Sequence, residues 1–112
     1  MERTLRFSRQ ASKDIQNISD YTLREFGELQ NQDYVLGLFA ALDKRVFDPG
    51  FMSSNEPELA TALGFGEDQV KSFKYMRHRC YFYFDTQQLH VLSLLHDSQD
   101  KARSFEKIKA NL

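Results

Sequence analysis

One stretch constrains the fold more than any other: Leu89-His90-Val91-Leu92-Ser93-Leu94-Leu95-His96. Strict alternation puts Leu89, Val91 and Leu95 on one side and Leu92 and Leu94 on the other. A strand that is apolar on both sides has no face to give to water, so it lies centrally in a sheet. The polar residues Asp85-Thr86-Gln87-Gln88 precede it, and before them runs Arg79-Cys80-Tyr81-Phe82-Tyr83-Phe84. Two β-prone runs joined by a short polar link read as adjacent strands. Val70 to Tyr75 adds a third, so the second half of the chain predicts a three-stranded antiparallel meander.

The first half is organised differently. Thr4-Leu5-Arg6-Phe7 is short and alternating, an N-terminal strand with Leu5 and Phe7 on one side. Ser8 suits a helix N-cap, because its hydroxyl accepts from an unpaired N–H of the first turn. Ala11, Ile15, Ile18, Thr22 and Phe26 then form one helical stripe. Gly27 stops it, since only glycine takes the left-handed helical conformation of a C-terminal cap without steric cost. Val35, Leu38, Phe39, Leu42 and Val46 give a second helix its apolar face, and Asp48-Pro49-Gly50 ends it. So short a link makes the pair an antiparallel hairpin. Ser54 or Asn55 caps a short helix with Pro57 in its first turn and Gly64 beyond its end. Ser98-Gln99-Asp100 caps a last helix from Lys101 to Leu112, with Ala102, Phe105, Ile108 and Leu112 on one face. The predicted class is α+β, one domain over residues 1–112. Its order is strand, helical hairpin, meander and C-terminal helix, with the hairpin against one face of the sheet.

A length of 112 residues is enough for a single core. No apolar run approaches the ~20 residues of a membrane span, and the first residues lack a signal-peptide core. Cys80 is the only cysteine. These features point to the cytoplasm and away from a membrane. His78, His90 and His96 lack paired ligand spacing, and one cysteine does not make a zinc site, so neither metal nor cofactor is expected. Cys80 alternates with Phe82 and Phe84 and reads as a buried small hydrophobe.

Charge is unevenly placed. Residues 1–45 are neutral, residues 46–70 carry five acids and no base, and residues 71–112 carry eight bases and four acids. A basic C-terminal third suits an anionic partner, although a solvated face looks the same. The candidate cations are Lys71, Lys74, Arg77 and Arg79 in the meander and Lys101, Arg103, Lys107 and Lys109 in the last helix. Arg77 and Arg79 belong at a hairpin mouth, where both reach solvent. His78 reads as a turn residue that anchors the hairpin, and His96 as a structural histidine. Glu56 and Glu58 suit the positive end of the short helix better than acid–base work.

Several of these marks occur together in a known family. A short strand, a helix opening Ser8-x-x-Ala11-x-x-Asp14-Ile15-x-x-Ile18, Tyr21, Gly27 and a helix ending near Pro49 resemble the ParE branch of the RelE/ParE toxin superfamily. Lys71-Ser72-Phe73, then His78, then Tyr81-Phe82 is similar to the entry of that family's central hairpin. Leu94-Leu95-His96 followed by Asp100 resembles the close of its last core strand. Met76 departs from the family, standing where a turn glycine is common. Arg79 and Cys80 replace aliphatics, and residues 55–64 form a longer segment than usual.

The resemblance implies a small toxin neutralised by a cognate, ParD-like antitoxin. Its ParE-like members act on DNA gyrase without cutting RNA, and no direct specific DNA contact by the toxin is expected. The RelE-like alternative is a ribosome-dependent, metal-free endoribonuclease, and a non-toxic binding module of the same fold is a third reading. For a nuclease, Lys71, Arg77, Arg79, Tyr81 and His96 supply cations and proton carriers. For a gyrase inhibitor, Lys74, Arg77, Arg79, Lys101, Arg103, Lys107 and Lys109 are the expected target-binding residues. The crowded apolar residues of hairpin and sheet also predict a groove for an amphipathic antitoxin helix.

Overall fold

The computed structural model describes residues 3–97 and 101–110. The proposed cap Ser98-Gln99-Asp100 and the terminal Leu112 lie outside them. A five-stranded sheet has the order β1-β5-β4-β3-β2. The strands are β1 (Thr4–Phe7), β2 (Ser54–Asn55), β3 (Val70–Tyr75), β4 (His78–Phe84) and β5 (Gln88–His96). β1 runs parallel to β5, and the other neighbours are antiparallel. The helices are α1 (Arg9–Phe26), α2 (Glu28–Phe47), α3 (Pro57–Leu63) and α4 (Lys101–Ala110). The predicted class and order hold. None of the described helices is long and apolar enough to cross a membrane.

The sheet is covered on both faces, and each face has its own core. Under α1 and α2 lie Phe73, Cys80, Phe82, Leu89, Val91 and Leu94, packed with Ala11, Leu38, Leu42 and Val46. Under α3 and α4 lie Val70, Tyr81, Leu92 and Leu95, packed with Leu59, Ala60 and Ile108. β5 is therefore apolar on both sides, but the assignment of its last leucines is corrected. Leu94 joins Leu89 and Val91, while Leu95 joins Leu92. A bulge explains the swap. Tyr81 pairs with Ser93 and Phe82 with Val91, so Leu92 is an extra residue that advances the alternation by one.

β1 pairs with β5 only as far as Val91. Beyond it the N-terminal part of α1 takes over the edge of β5. Ser8 caps α1 by accepting from Ala11 N (3.0 Å) and donates its own hydroxyl to Leu92 O (2.8 Å). Asp14 Oδ2 accepts from Ser93 Oγ (2.6 Å) and Leu94 N (3.1 Å), and its Oδ1 accepts from Gln10 (2.8 Å).

Gly27 alone joins α1 to α2. Its φ of 90° and ψ of 176° belong to a region essentially restricted to glycine, and differ from the left-handed helical cap expected. Residues 23–30 are all exposed, so the hairpin tip stands clear of the sheet. Phe26, expected in the core stripe, is 59% exposed for that reason. On α2 the buried set is Leu38, Leu42, Val46 and, unexpectedly, Arg45. The Arg45 guanidinium lies 4.0 Å from the Phe73 ring centroid and donates to Ala41 O, but its Nε has no partner. Gly37 lets the Tyr75 ring approach α2, where the Tyr75 hydroxyl donates to Tyr34 O (2.8 Å).

Two expectations about short elements are also corrected. Ser54 and Asn55 do not cap α3. They form β2, opposite Ser72 and Lys71, and Glu56 is the N-cap residue. Two polar residues carry no alternation to read; backbone pairing with β3 makes them a strand. On α4, Ala102 is exposed, Ser104 and Ile108 are buried, and Phe105 is half-buried against Tyr81.

Two substitutions test this packing by chemical denaturation. Asp14→Ala is expected to cost at least about 2 kcal/mol, since it strips bonds to a carboxylate and orphans the Leu94 N–H. Gly37→Ala is expected to cost about 1–3 kcal/mol despite its better helix propensity. The new methyl lands on the Tyr75 hydroxyl, with the ring Cζ 3.3 Å away. Adding Tyr75→Phe should therefore recover part of that loss, giving a double-mutant cycle that is not additive.

Candidate functional site

The α3/α4 face of the sheet carries a cleft of about 200 Å³, lined by Arg79, Tyr81, Leu95, His96, Asp97 and Lys101. β4 delivers Arg79 and Tyr81, two residues apart and hence on one face. Arg79 is half-buried and donates from Nη1 to Ser72 Oγ (3.1 Å). Ser72 donates in turn to Glu56 Oε2 (3.4 Å), and Lys101 Nζ lies 3.8 Å from Glu56 Oε1. Glu56 thus turns back from the start of α3 toward the sheet and sits between two cations. Nothing in its local sequence separates it from the exposed Glu58; the β2–β3 pairing places it.

The candidate residues do not converge on one point. Arg79, Tyr81, His96 and Lys101 share the cleft, while the others lie apart from it. Lys74 is exposed and pairs with Asp97 (3.3 Å) at the same end of the sheet. Arg77 stands exposed in the β3–β4 turn beside Met76, whose φ of 56° occupies the left-handed region usual for glycine. Arg79 does not reach solvent as freely as its position suggested. Lys71 lies on the opposite face, its Nζ 5.8 Å from the Phe84 ring centroid and bonded to Asn55. Arg103, Lys107 and Lys109 are exposed along α4, and Lys107 lines a second, polar cleft with Gln10, Asp14, Asn17, Ser93 and Ser104. Sequence reasoning missed Ser72 and the inward turn of Glu56.

The cleft sets two cations, Arg79 and Lys101, beside the carboxylates of Asp97 and Glu56. Burial, with Glu56 second, pushes the Tyr81 hydroxyl up to about 12, so it keeps its proton at neutral pH. Among the described residues, no group of three His, Cys, Asp or Glu side chains could hold a metal ion.

The His96 ring lies 5.3 Å from the His78 ring and nearly perpendicular to it. His78 anchors the hairpin to α2, its Nδ1 3.0 Å from the Tyr34 hydroxyl. Burial raises the Tyr34 pKa, with Tyr75 and Cys80 adding to it, so the phenol stays protonated. It shares one hydrogen bond with the imidazole, whose tautomer sets the direction. Burial lowers the His78 pKa below its ordinary 6.5, and His96 lowers it further, against weaker opposing pulls from Asp97 and Asp14. The unfolded chain therefore takes up this proton first as the pH falls. Stability is fully present above about 6.5 and is lost as the pH drops from there through the folded pKa. His90, lowered by burial and by Arg6, acts in the same direction. Urea midpoints measured from pH 7.5 to 5 should decline, and should decline less steeply in His78→Asn, which retains an acceptor near Nδ1.

Comparison with known proteins agrees with this architecture. A solved structure described as the chromosomal ParDE TA system from P. aeruginosa matches with a TM-score of 0.60 at 13% identity, covering 85% of this chain and 96% of that one. At that identity the likeness is one of fold. No curated protein sequence matches the chain. The family described as ParE toxin of type II toxin-antitoxin system, parDE, matches residues 5–101, from β1 to the first residue of α4. With most of the chain matched, strands and helical hairpin included, the protein belongs to the ParE toxin family of type II toxin–antitoxin systems.

Proposed function

We propose that this toxin works in the cytoplasm as a single domain, inhibits DNA gyrase, and is silenced by a cognate ParD-like antitoxin. The observation that carries the reading is the family match over residues 5–101. Arg79, Tyr81 and His96 share the cleft but Lys71 and Arg77 do not line it, which supports a non-cleaving mode. Lys71 is on the wrong face to join Arg79, the His96 ring turns toward His78, and the Tyr81 phenol is a weak acid. Lys74, Arg77, Arg79 and Lys101 ring one end of the sheet. With Arg103, Lys107 and Lys109 they form the cationic surface offered to the target.

The antitoxin reading rests on the hairpin tip. Tyr21 and Phe26 meet edge-on at 6.2 Å and are 52% and 59% exposed. Leu23 and Leu29 are exposed beside them in sequence. Large apolar side chains concentrated on an open surface mark an interaction site, and an amphipathic helix is the complement of a helical hairpin.

Induced expression, with plasmid supercoiling and transcript integrity read separately, tests the target. Expected are relaxed plasmids, intact transcripts and growth restored by co-expressing the neighbouring reading frame. Cut transcripts with unchanged supercoiling would overturn the gyrase reading in favour of a ribosome-dependent nuclease. Arg77→Ala should weaken gyrase binding while moving stability by no more than about 0.5 kcal/mol, as for an exposed side chain.

A further inference from the structure

Four tyrosines pack into the body of the fold, and three of their hydroxyls are hydrogen-bonded. Tyr34 meets His78, Tyr75 donates to Tyr34 O, and Tyr83 donates to Asp85. Tyr81 is the most deeply buried of the four, 1% exposed, yet among the described residues its hydroxyl has no partner. A buried phenol without a hydrogen bond costs stability, so tyrosines at this depth usually find one. Tyr81 lines the first cleft, and Glu56 and Arg79 both act on its hydroxyl electrostatically. The hydroxyl keeps its proton at neutral pH, which makes it a donor for whatever fills the cleft.

Arg79 is in a similar position. Its one hydrogen bond goes to Ser72, a neutral oxygen, and it makes no ion pair among the described residues. A guanidinium carries five N–H donors, so most of the fork is left over. The nearby carboxylates are already engaged, Asp97 by Lys74 and Glu56 by Ser72 and Lys101. Together Arg79, Lys101 and Lys74 outnumber Glu56 and Asp97 by one positive charge. A monoanion balances that excess, whereas a phosphate dianion leaves one charge unpaired beside two carboxylates. Leu95, 6% exposed, gives the cleft an apolar wall.

We propose that this cleft is a socket for one carboxylate on a short methylene stem, the glutamate side chain of a partner protein. The carboxylate takes the unused part of the Arg79 fork and the Tyr81 hydroxyl, and Lys101 closes on it from α4. The methylenes lie against Leu95. A volume of about 200 Å³ has room for a side chain but not for a helix. The inference rests on the reading of this surface as the one met by the target, but the socket is read without gyrase.

The test is a titration of the full chain with N-acetyl-glutamate N-methylamide, followed by NMR at the Tyr81 ring and the Arg79 guanidinium. Saturable shifts are expected at both. The glutamine analogue, which has the shape without the charge, should not produce them. Tyr81→Phe should weaken binding about tenfold, for the loss of one hydrogen bond to a charged group. The same substitution should leave the urea midpoint where it is, because the hydroxyl holds nothing in the fold. Shifts that spread over exposed lysines without saturating overturn the proposal, as does an equal response to the glutamine analogue. Tighter binding of free glutarate or inorganic phosphate assigns the cleft to a small dianion and overturns it too. So does a Tyr81→Phe chain that loses stability or keeps full affinity. Any of these failures leaves the gyrase reading standing, since plasmid supercoiling decides that separately.

Discussion

The carboxylate of Asp14 and the hydroxyl of Ser8 hold the edge of the central strand where backbone pairing stops. β1 is too short to cover β5, and from Leu92 onward the strand presents polar groups that a neighbouring strand does not satisfy. Ser8 and Asp14 satisfy them from α1. Hydrogen bonds to a charged group contribute about 1.5–3 kcal/mol each. These bonds also fix where α1 begins and which way it turns. Gly27 then carries that orientation into α2, and α2 sets the Tyr34 contact that anchors the β3–β4 hairpin. An error at Asp14 is thus passed along both helices to the far end of the sheet.

The strongest features of the fold could be read from the sequence because burial wrote them there. Leu89 to Leu95 admits little but a central strand, and the stripes of α1 and α2 give their length and partners. What could not be read depends on pairing, which leaves no periodic mark. The extra residue at Leu92 exchanges the faces of Leu94 and Leu95, and alternation alone does not reveal a bulge. Ser54 and Asn55 form β2 only because β3 lies beside them. The cleft suffers most from this. Lys71 and Arg79 are eight positions apart in sequence, but register places Lys71 opposite Phe82 on one face and Arg79 opposite Lys74 on the other. A list of bases and aromatics gathers them; the pleat divides them.

Charge placement makes sense once the faces are assigned. The acidic middle of the chain and its basic last third meet where Glu56 approaches Lys101 and, through Ser72, Arg79. One carboxylate among these cations lowers the repulsion of bringing α4 against β4. It leaves Arg77 and the outer face of α4 with an excess of positive charge directed to solvent. The apolar surface collects instead at the hairpin tip. The apolar tip and the cationic surface are therefore built from different elements, the first from α1 and α2, the second from β3, β4 and α4.

The pairing of the first strand with the last has a consequence for synthesis. β1 leaves the ribosome early and has no partner until Val91 has followed it. At roughly 5–20 residues per second, β1 and the start of α1 wait several seconds before the strand they complete exists. Long-range pairing of this kind slows folding, because loop closure precedes the contacts that reward it. The helical hairpin is local and forms first; the sheet, and with it the cationic end built on β3 and β4, closes late. A chain that stops short of β5 lacks the strand that both layers pack against, so neither core closes before β5 has been made.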